Sequence, residues 1–212
     1  MPPTPEECRR LQSWGVSRET LDRLAVYESL IARWVPVKNL IAPSTANSIW
    51  QRHFIDSAQV RQLCPNAKRW VDIGSGAGFP GLVLAILMSG SRDVSVDLVE
   101  ADHRKCAFLR HVSRETNANA RVHHGRIEDI LPALETPDVV TARALAPMDL
   151  LLEWTGEKIQ NGATGLFLKG QDIAQELTLT TKSSRFNIEL IASQTSPTAR
   201  IVIVTGRSDQ HS

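Results

Sequence analysis

Along the first third of the chain, apolar residues recur at helical spacing: Leu21, Leu24, Ala25, Ile31 and Trp34 fall along one predicted helix. Ser17 stands before this run as a cap and Pro36 closes it. A second helix is predicted from about Thr45 to Leu63, stopping ahead of Pro65 because a proline pushes the preceding residue out of helical geometry. Lys38-Asn39-Leu40-Ile41-Ala42-Pro43 between them reads as a loop. Residues 1–66 therefore form a small helical subdomain.

From Lys68 the period changes to short β-branched runs alternating with helical stretches, the pattern of a parallel sheet with crossover helices. Strands are predicted at Trp70 to Ile73, Val94 to Val99, Arg121 to His124, Asp138 to Thr141 and Gly165 to Leu168. Helices are placed at Leu82 to Met88 and from Asp102 to about Asn117. Two more strand-like runs, Phe186 to Ile191 and Arg200 to Val204, are separated only by the Ser196-Pro197 turn region. They predict a terminal β-hairpin and an antiparallel edge. The expected fold is α/β: residues 67–207 form a seven-stranded, mixed, Rossmann-like sheet of the class I methyltransferase type, and residues 208–212 a tail.

Composition narrows this further. With 212 residues, 42% hydrophobic and 22% charged, the chain can bury one full core. Its longest apolar stretch, Leu82 to Met88, is far short of the ~20 residues a membrane span needs. The proline-rich, charged start lacks the apolar core of a signal peptide. A cytoplasmic protein without membrane association is expected. Cys8, Cys64 and Cys106 are odd in number and far apart, which fits reduced thiols and neither a disulfide framework nor a metal site. Net charge is +1, so any nucleic-acid binding must rest on a local patch.

The sharpest motif is Val71-Asp72-Ile73-Gly74-Ser75-Gly76-Ala77-Gly78-Phe79-Pro80-Gly81, between a predicted strand and helix. Glycines there let backbone approach a ligand closely and aim N–H groups at it. Pro80 suits the first helical turn, where an N–H would go unpaired. Gly76 to Gly81 also satisfies the dinucleotide fingerprint, so a nicotinamide oxidoreductase is the competing reading. Two features favour a methyl donor: Gly74 already starts the turn, and Asp72 suits a ligand carrying a positive amino group better than a pyrophosphate.

Glu100, at the carboxyl end of the second strand, can accept hydrogen bonds from ribose hydroxyls, a service either cofactor needs. Asp102 is the better helix cap. Gly125-Arg126-Ile127-Glu128-Asp129 after the third strand can meet an adenine ring, though a solvated helix start reads equally well. Arg143, at the end of the fourth strand, is costly to bury unpaired and should meet a carboxylate or phosphate.

Taken in order, these segments resemble the ribosomal RNA small-subunit methyltransferase G family, also called glucose-inhibited division protein B. The resemblance starts at Trp34 with Asn39-Leu40 and runs through Arg52-His53-Phe54-Ile55-Asp56-Ser57 and the glycine loop. It continues through Phe108-Leu109-Arg110, the Arg143 segment and Leu168-Lys169-Gly170-Gln171. It implies transfer of a methyl group from S-adenosyl-L-methionine to N7 of guanine 527 in 16S rRNA of the bacterial small ribosomal subunit. The cofactor contacts it implies are Gly74, Phe79, Ile127, Glu128 and Arg143, to which fold logic adds Glu100, with Asp72, Gly76 and Gly78 as further candidates. Ala77 and Phe79 depart from the family's frequent proline and leucine.

Guanine N7 has a free lone pair and no proton to lose, so no obligatory catalytic residue or metal is expected; Arg143 and Lys169 are positioning candidates. Arg52, His53 and Lys169 are the RNA-binding candidates, and the chain is expected to act as a monomer. His103, Arg104, Arg110, His111 and Arg114 share one face of a helix, which reads more readily as a solvated face than an RNA patch. A non-catalytic ribosome-binding factor is the remaining alternative.

Overall fold

The computed structural model describes residues 2–34, 48–180 and 183–207. The Pro36 stop, the loop from Lys38 to Pro43 with the Asn39-Leu40 motif, the start near Thr45 and the 208–212 tail lie outside the described residues.

The charged N-terminus is helical, which its periodicity does not announce. Helix α1 (Pro5–Ser13) is held by its end chemistry: Thr4 Oγ1 accepts from the Glu7 N–H, and the Glu7 carboxylate accepts from the Thr4 N–H at 2.8 Å. Of its residues only Leu11 is buried. Ser17 caps α2 (Arg18–Trp34), accepting from the Thr20 N–H at 3.1 Å. The buried face of α2 is Leu24, Tyr27, Leu30 and Ile31, whereas Ala25 is exposed. The stripe is thus turned from the predicted one by the large side chain of Tyr27. The next helical run passes through a wide π-turn, Trp50–Ile55, into α3 (Asp56–Leu63) and stops before Pro65.

Strands β1 (Arg69–Ile73), β2 (Ser95–Glu100), β3 (Ala120–His124), β4 (Val139–Arg143) and β5 (Thr164–Lys169) run parallel. The hairpin of β6 (Phe186–Ala192) and β7 (Arg200–Gly206) completes a seven-stranded sheet in the order β3-β2-β1-β4-β5-β7-β6. β7 lies antiparallel between β5 and β6. The mixed sheet and its hairpin are as expected of the class I methyltransferase fold.

The crossovers are α4 (Gly81–Leu87), α5 (His103–Glu115), α6 (Ile127–Ala133) and α7 (Met148–Gln160), with α8 (Ile173–Leu179) after β5. The near-continuous burial along β1, β2, β4 and β5 follows from cover on both faces. Neighbours in a strand point to opposite layers: Leu166 and Leu168 join one core, Phe167 the other. The first core also holds Leu24, Tyr27, Trp50, Phe54, Leu82 and Phe108, so the N-terminal helices share their apolar interior with α4 and α5. The second lies under α6, α7 and α8.

Candidate active site

The five parallel strands end on the same side of the sheet, and the turns that leave β1 to β4 line a cavity of about 460 Å³. Gly74, Gly76 and Gly78 hold φ of 63°, 57° and 102°, left-handed values that side-chain-bearing residues rarely take. Two of these glycines are also needed for space. A Cβ on Gly74 would stand 2.3 Å from Leu145 Cδ1, and one on Gly78 would stand 2.5 Å from Tyr27 Oη. Pro80 is the N-cap of α4, one position before the first turn where it was expected, and its bond to Phe79 is cis.

The loop is tied down from three directions. Glu100 takes the Gly76 N–H on Oε2 and the Asp102 N–H on Oε1, both at 2.8 Å. The Ser75 N–H donates to the Val99 carbonyl at 3.1 Å. From the N-terminal layer, Tyr27 donates its hydroxyl to the Ala77 carbonyl. Asp102 caps α5, as expected, through the Arg104 and Lys105 N–H groups.

Arg143 is the centre of the site. It lies over the Phe79 ring, 5.9 Å from its centroid, and Nη2 donates to the Arg52 carbonyl at 2.8 Å. Nε pairs with Asp56 Oδ2 at 3.5 Å, so of the two partners expected from the sequence, carboxylate or phosphate, it has the carboxylate. Nη1 is buried with no hydrogen-bond partner among the described residues. Burial lowers the Arg143 pKa, opposed by Asp56. Asp56 is itself fixed: Oδ1 accepts from Gln59 at 2.8 Å, Thr195 at 2.5 Å and Ser193 at 3.3 Å.

His53 is 7% exposed, its ring centroid 4.6 Å from that of Phe79. Burial, then the charges of Arg143 and Arg52, pull its pKa down to about 3, so it is neutral near neutral pH. Asp72, 1% exposed, accepts from Thr141 Oγ1 at 2.8 Å, and burial pushes its pKa up to about 6.

A second cavity of about 300 Å³ opens beside the first, and Arg143 and Ala144 line both. Ala144 has φ of 49°, a left-handed conformation in a residue with a Cβ, at the partition itself. The second cavity holds Arg52, Asp56, Lys169, Asp172 and Glu176 as well. Lys169 pairs with Glu176 at 2.7 Å and donates to the Ala146 carbonyl at 2.9 Å.

A sequence model of the family described as rRNA small subunit methyltransferase G matches residues 20–199. The chain belongs to that family. A Ribosomal RNA small subunit methyltransferase G from Methylobacterium radiotolerans is 49% identical over 201 residues, 95% of each chain. One from Caulobacter vibrioides is 43% identical over 190 residues, covering 90% of this chain and 87% of that one. Among solved structures, an MtNAS mutant in complex with S-adenosylmethionine superposes with a TM-score of 0.60 at 17% identity, covering 88% of this chain and 72% of that one. A putative rRNA-methylase from Clostridium thermocellum gives 0.54 at 10% identity, covering 71% and 94%. At such identities these two bear on the fold alone.

The five residues that the methyltransferase G resemblance implies, Gly74, Phe79, Ile127, Glu128 and Arg143, all line the first cavity, together with Gly76 and Glu100. Asp72 and Gly78 do not line it, and both are buried. His53 is in the first cavity's wall, while Arg52 and Lys169 face the second. Trp154, whose Nε1 donates to Glu128 at 3.0 Å, and Lys105 also line the first cavity; sequence reasoning names neither there. Nor does it find Tyr27 or Asp56 as anchors.

Proposed function

We propose that this chain transfers the methyl group of S-adenosyl-L-methionine to N7 of guanine 527 in 16S rRNA of the small ribosomal subunit, as a monomer in the cytoplasm. One observation carries the reading: the Arg143–Ala144 segment walls both a cofactor-sized cavity and a smaller one. Transfer between two bound molecules needs such an adjoining pair.

The first cavity fits the methyl donor in its chemistry. The unpartnered Arg143 Nη1 suits a carboxylate, Glu100 keeps acceptor capacity for ribose hydroxyls, and Ile127 offers an apolar surface to a ring. The donor supplies an activated methyl on a sulfonium. With the donor bound, that carbon would be open to the lone pair of guanine N7, the bond to nitrogen forming as the bond to sulfur breaks and the positive charge passing to the base. No proton moves, so the chain's residues act by holding and orienting: Glu100 and Tyr27 fix the loop, and Asp56 fixes Arg143.

The test is to map N7-methylguanine in small-subunit RNA, by borohydride and aniline cleavage, in cells with and without this chain. Cleavage at guanine 527 that depends on the chain is expected; unchanged cleavage there would overturn the proposal.

A further inference from the structure

The second cavity has an unequal charge pattern. Of its three carboxylates, Asp56 is engaged through both oxygens, and Glu176 holds Lys169 and the Met148 N–H. Asp172, exposed at the head of α8, has no side-chain partner among the described residues and lines the same space. Of the cations, Arg143 and Lys169 are paired and Arg200 donates to the carbonyls of Pro197 and Ala199. The Arg52 side chain is exposed at the cavity's edge.

We infer that this cavity takes one purine nucleotide extruded from the RNA, and that Asp172 is the residue that selects guanine. The inference rests on the proposed function. An RNA helix buries N7 in a deep, narrow major groove, so a base must leave the stack to present that atom. A base turned with N7 towards the Arg143 partition directs its opposite edge away from the cofactor cavity. On guanine that edge carries two donors, N1–H and the 2-amino group; on adenine it carries an acceptor at N1 and no 2-amino group. A carboxylate without a partner is an acceptor pair matched to guanine alone. The fixed ion pairs of Arg143 and Lys169 form the walls, and Arg52 is placed for a phosphate at the mouth.

The experiment uses small subunits reconstituted with 16S RNA bearing guanine or hypoxanthine, which lacks the 2-amino group, at the target. Hypoxanthine keeps N7, so only the reading of the far edge differs. The unaltered chain should prefer guanine by about tenfold or more in kcat/KM, the size of one lost hydrogen bond to a charge. Asp172→Ala should erase most of that preference by slowing guanine, with affinity for S-adenosylhomocysteine unchanged. A variant that keeps the full preference would overturn the assignment of Asp172 while leaving the proposed function standing. Absence of transfer to any guanine by the unaltered chain would overturn both.

Discussion

The hydroxyl of Tyr27, on the second helix, is hydrogen-bonded to the carbonyl of Ala77, in the middle of the glycine loop. A residue fifty positions upstream thus anchors the glycine-loop backbone. Tyr27→Phe keeps the ring packing against Phe54 and Phe79 and leaves a buried carbonyl unpaired. The expected cost is about 1–3 kcal/mol of stability. Affinity for S-adenosylhomocysteine should fall several-fold. Denaturant unfolding and calorimetry check the two effects separately.

Substitution in the loop should act more strongly on binding. Gly74→Val must adopt left-handed backbone at a cost of about 1–2 kcal/mol and drive Leu145 into the cavity. Glu100→Ala frees the N–H groups of Gly76 and Asp102 and removes the carboxylate proposed to accept from ribose hydroxyls. Calorimetry should show weaker S-adenosylhomocysteine binding in both variants; unaltered affinity in both would refute the site.

Asp56→Asn tests the tether on Arg143. The guanidinium would lose its anionic partner while Ser193, Thr195 and Gln59 keep hydrogen-bonding capacity nearby. Methyl transfer should drop at least tenfold. In a double-mutant cycle with Arg143→Lys the losses should be less than additive, because both changes break one contact. Strictly additive losses would show that the pair is not functionally coupled.

Two buried groups should tilt stability with pH in opposite directions. As pH falls from 6.5 towards 3, the unfolded chain protonates His53 while the folded one resists, so stability is lost across that window. Asp72 is raised from 3.8 to about 6, so its contribution is full below 3.8 and is lost as pH rises through 6. His53→Gln should flatten the acid-side loss. Asp72→Asn should gain on the unaltered chain as pH rises from 3.8 to 6. Urea midpoints across this range measure both slopes.

With a net charge of +1, the chain cannot neutralise many phosphates at once. An assembled small subunit should therefore be a much better substrate than a short oligonucleotide of the same sequence, compared at equal concentration and fixed salt. Equal rates would show that local sequence alone is read.

The sheet, its hairpin and the loop were legible because each depends on neighbours in sequence: alternating cover, turn residues, strand-to-helix glycines. Arg143 could be assigned an anionic partner, carboxylate or phosphate, in advance, since burial of a guanidinium demands one. That the carboxylate is Asp56 could not, because its fixing residues Ser193 and Thr195 lie 137 and 139 positions away. Helix α1 left a readable trace in Thr4-Pro5-Glu6-Glu7, a capping box that an apolar-period search passes over. His53, an RNA-binding candidate from the motif, is 7% exposed and sits in the first cavity's wall against Phe79; a polar side chain in a motif does not declare which way it faces.

The last strand in chain order among those described, β7, is not at the sheet's edge but between β5 and β6. During synthesis the segments around the first cavity emerge well before residues 200–206, while β5 waits with an open edge, a surface prone to mispairing. Ser193 and Thr195 arrive in that same final segment and hold Asp56, and through it Arg143. A growing chain can thus enclose the first cavity before the second, whose wall is completed by the closing of the hairpin.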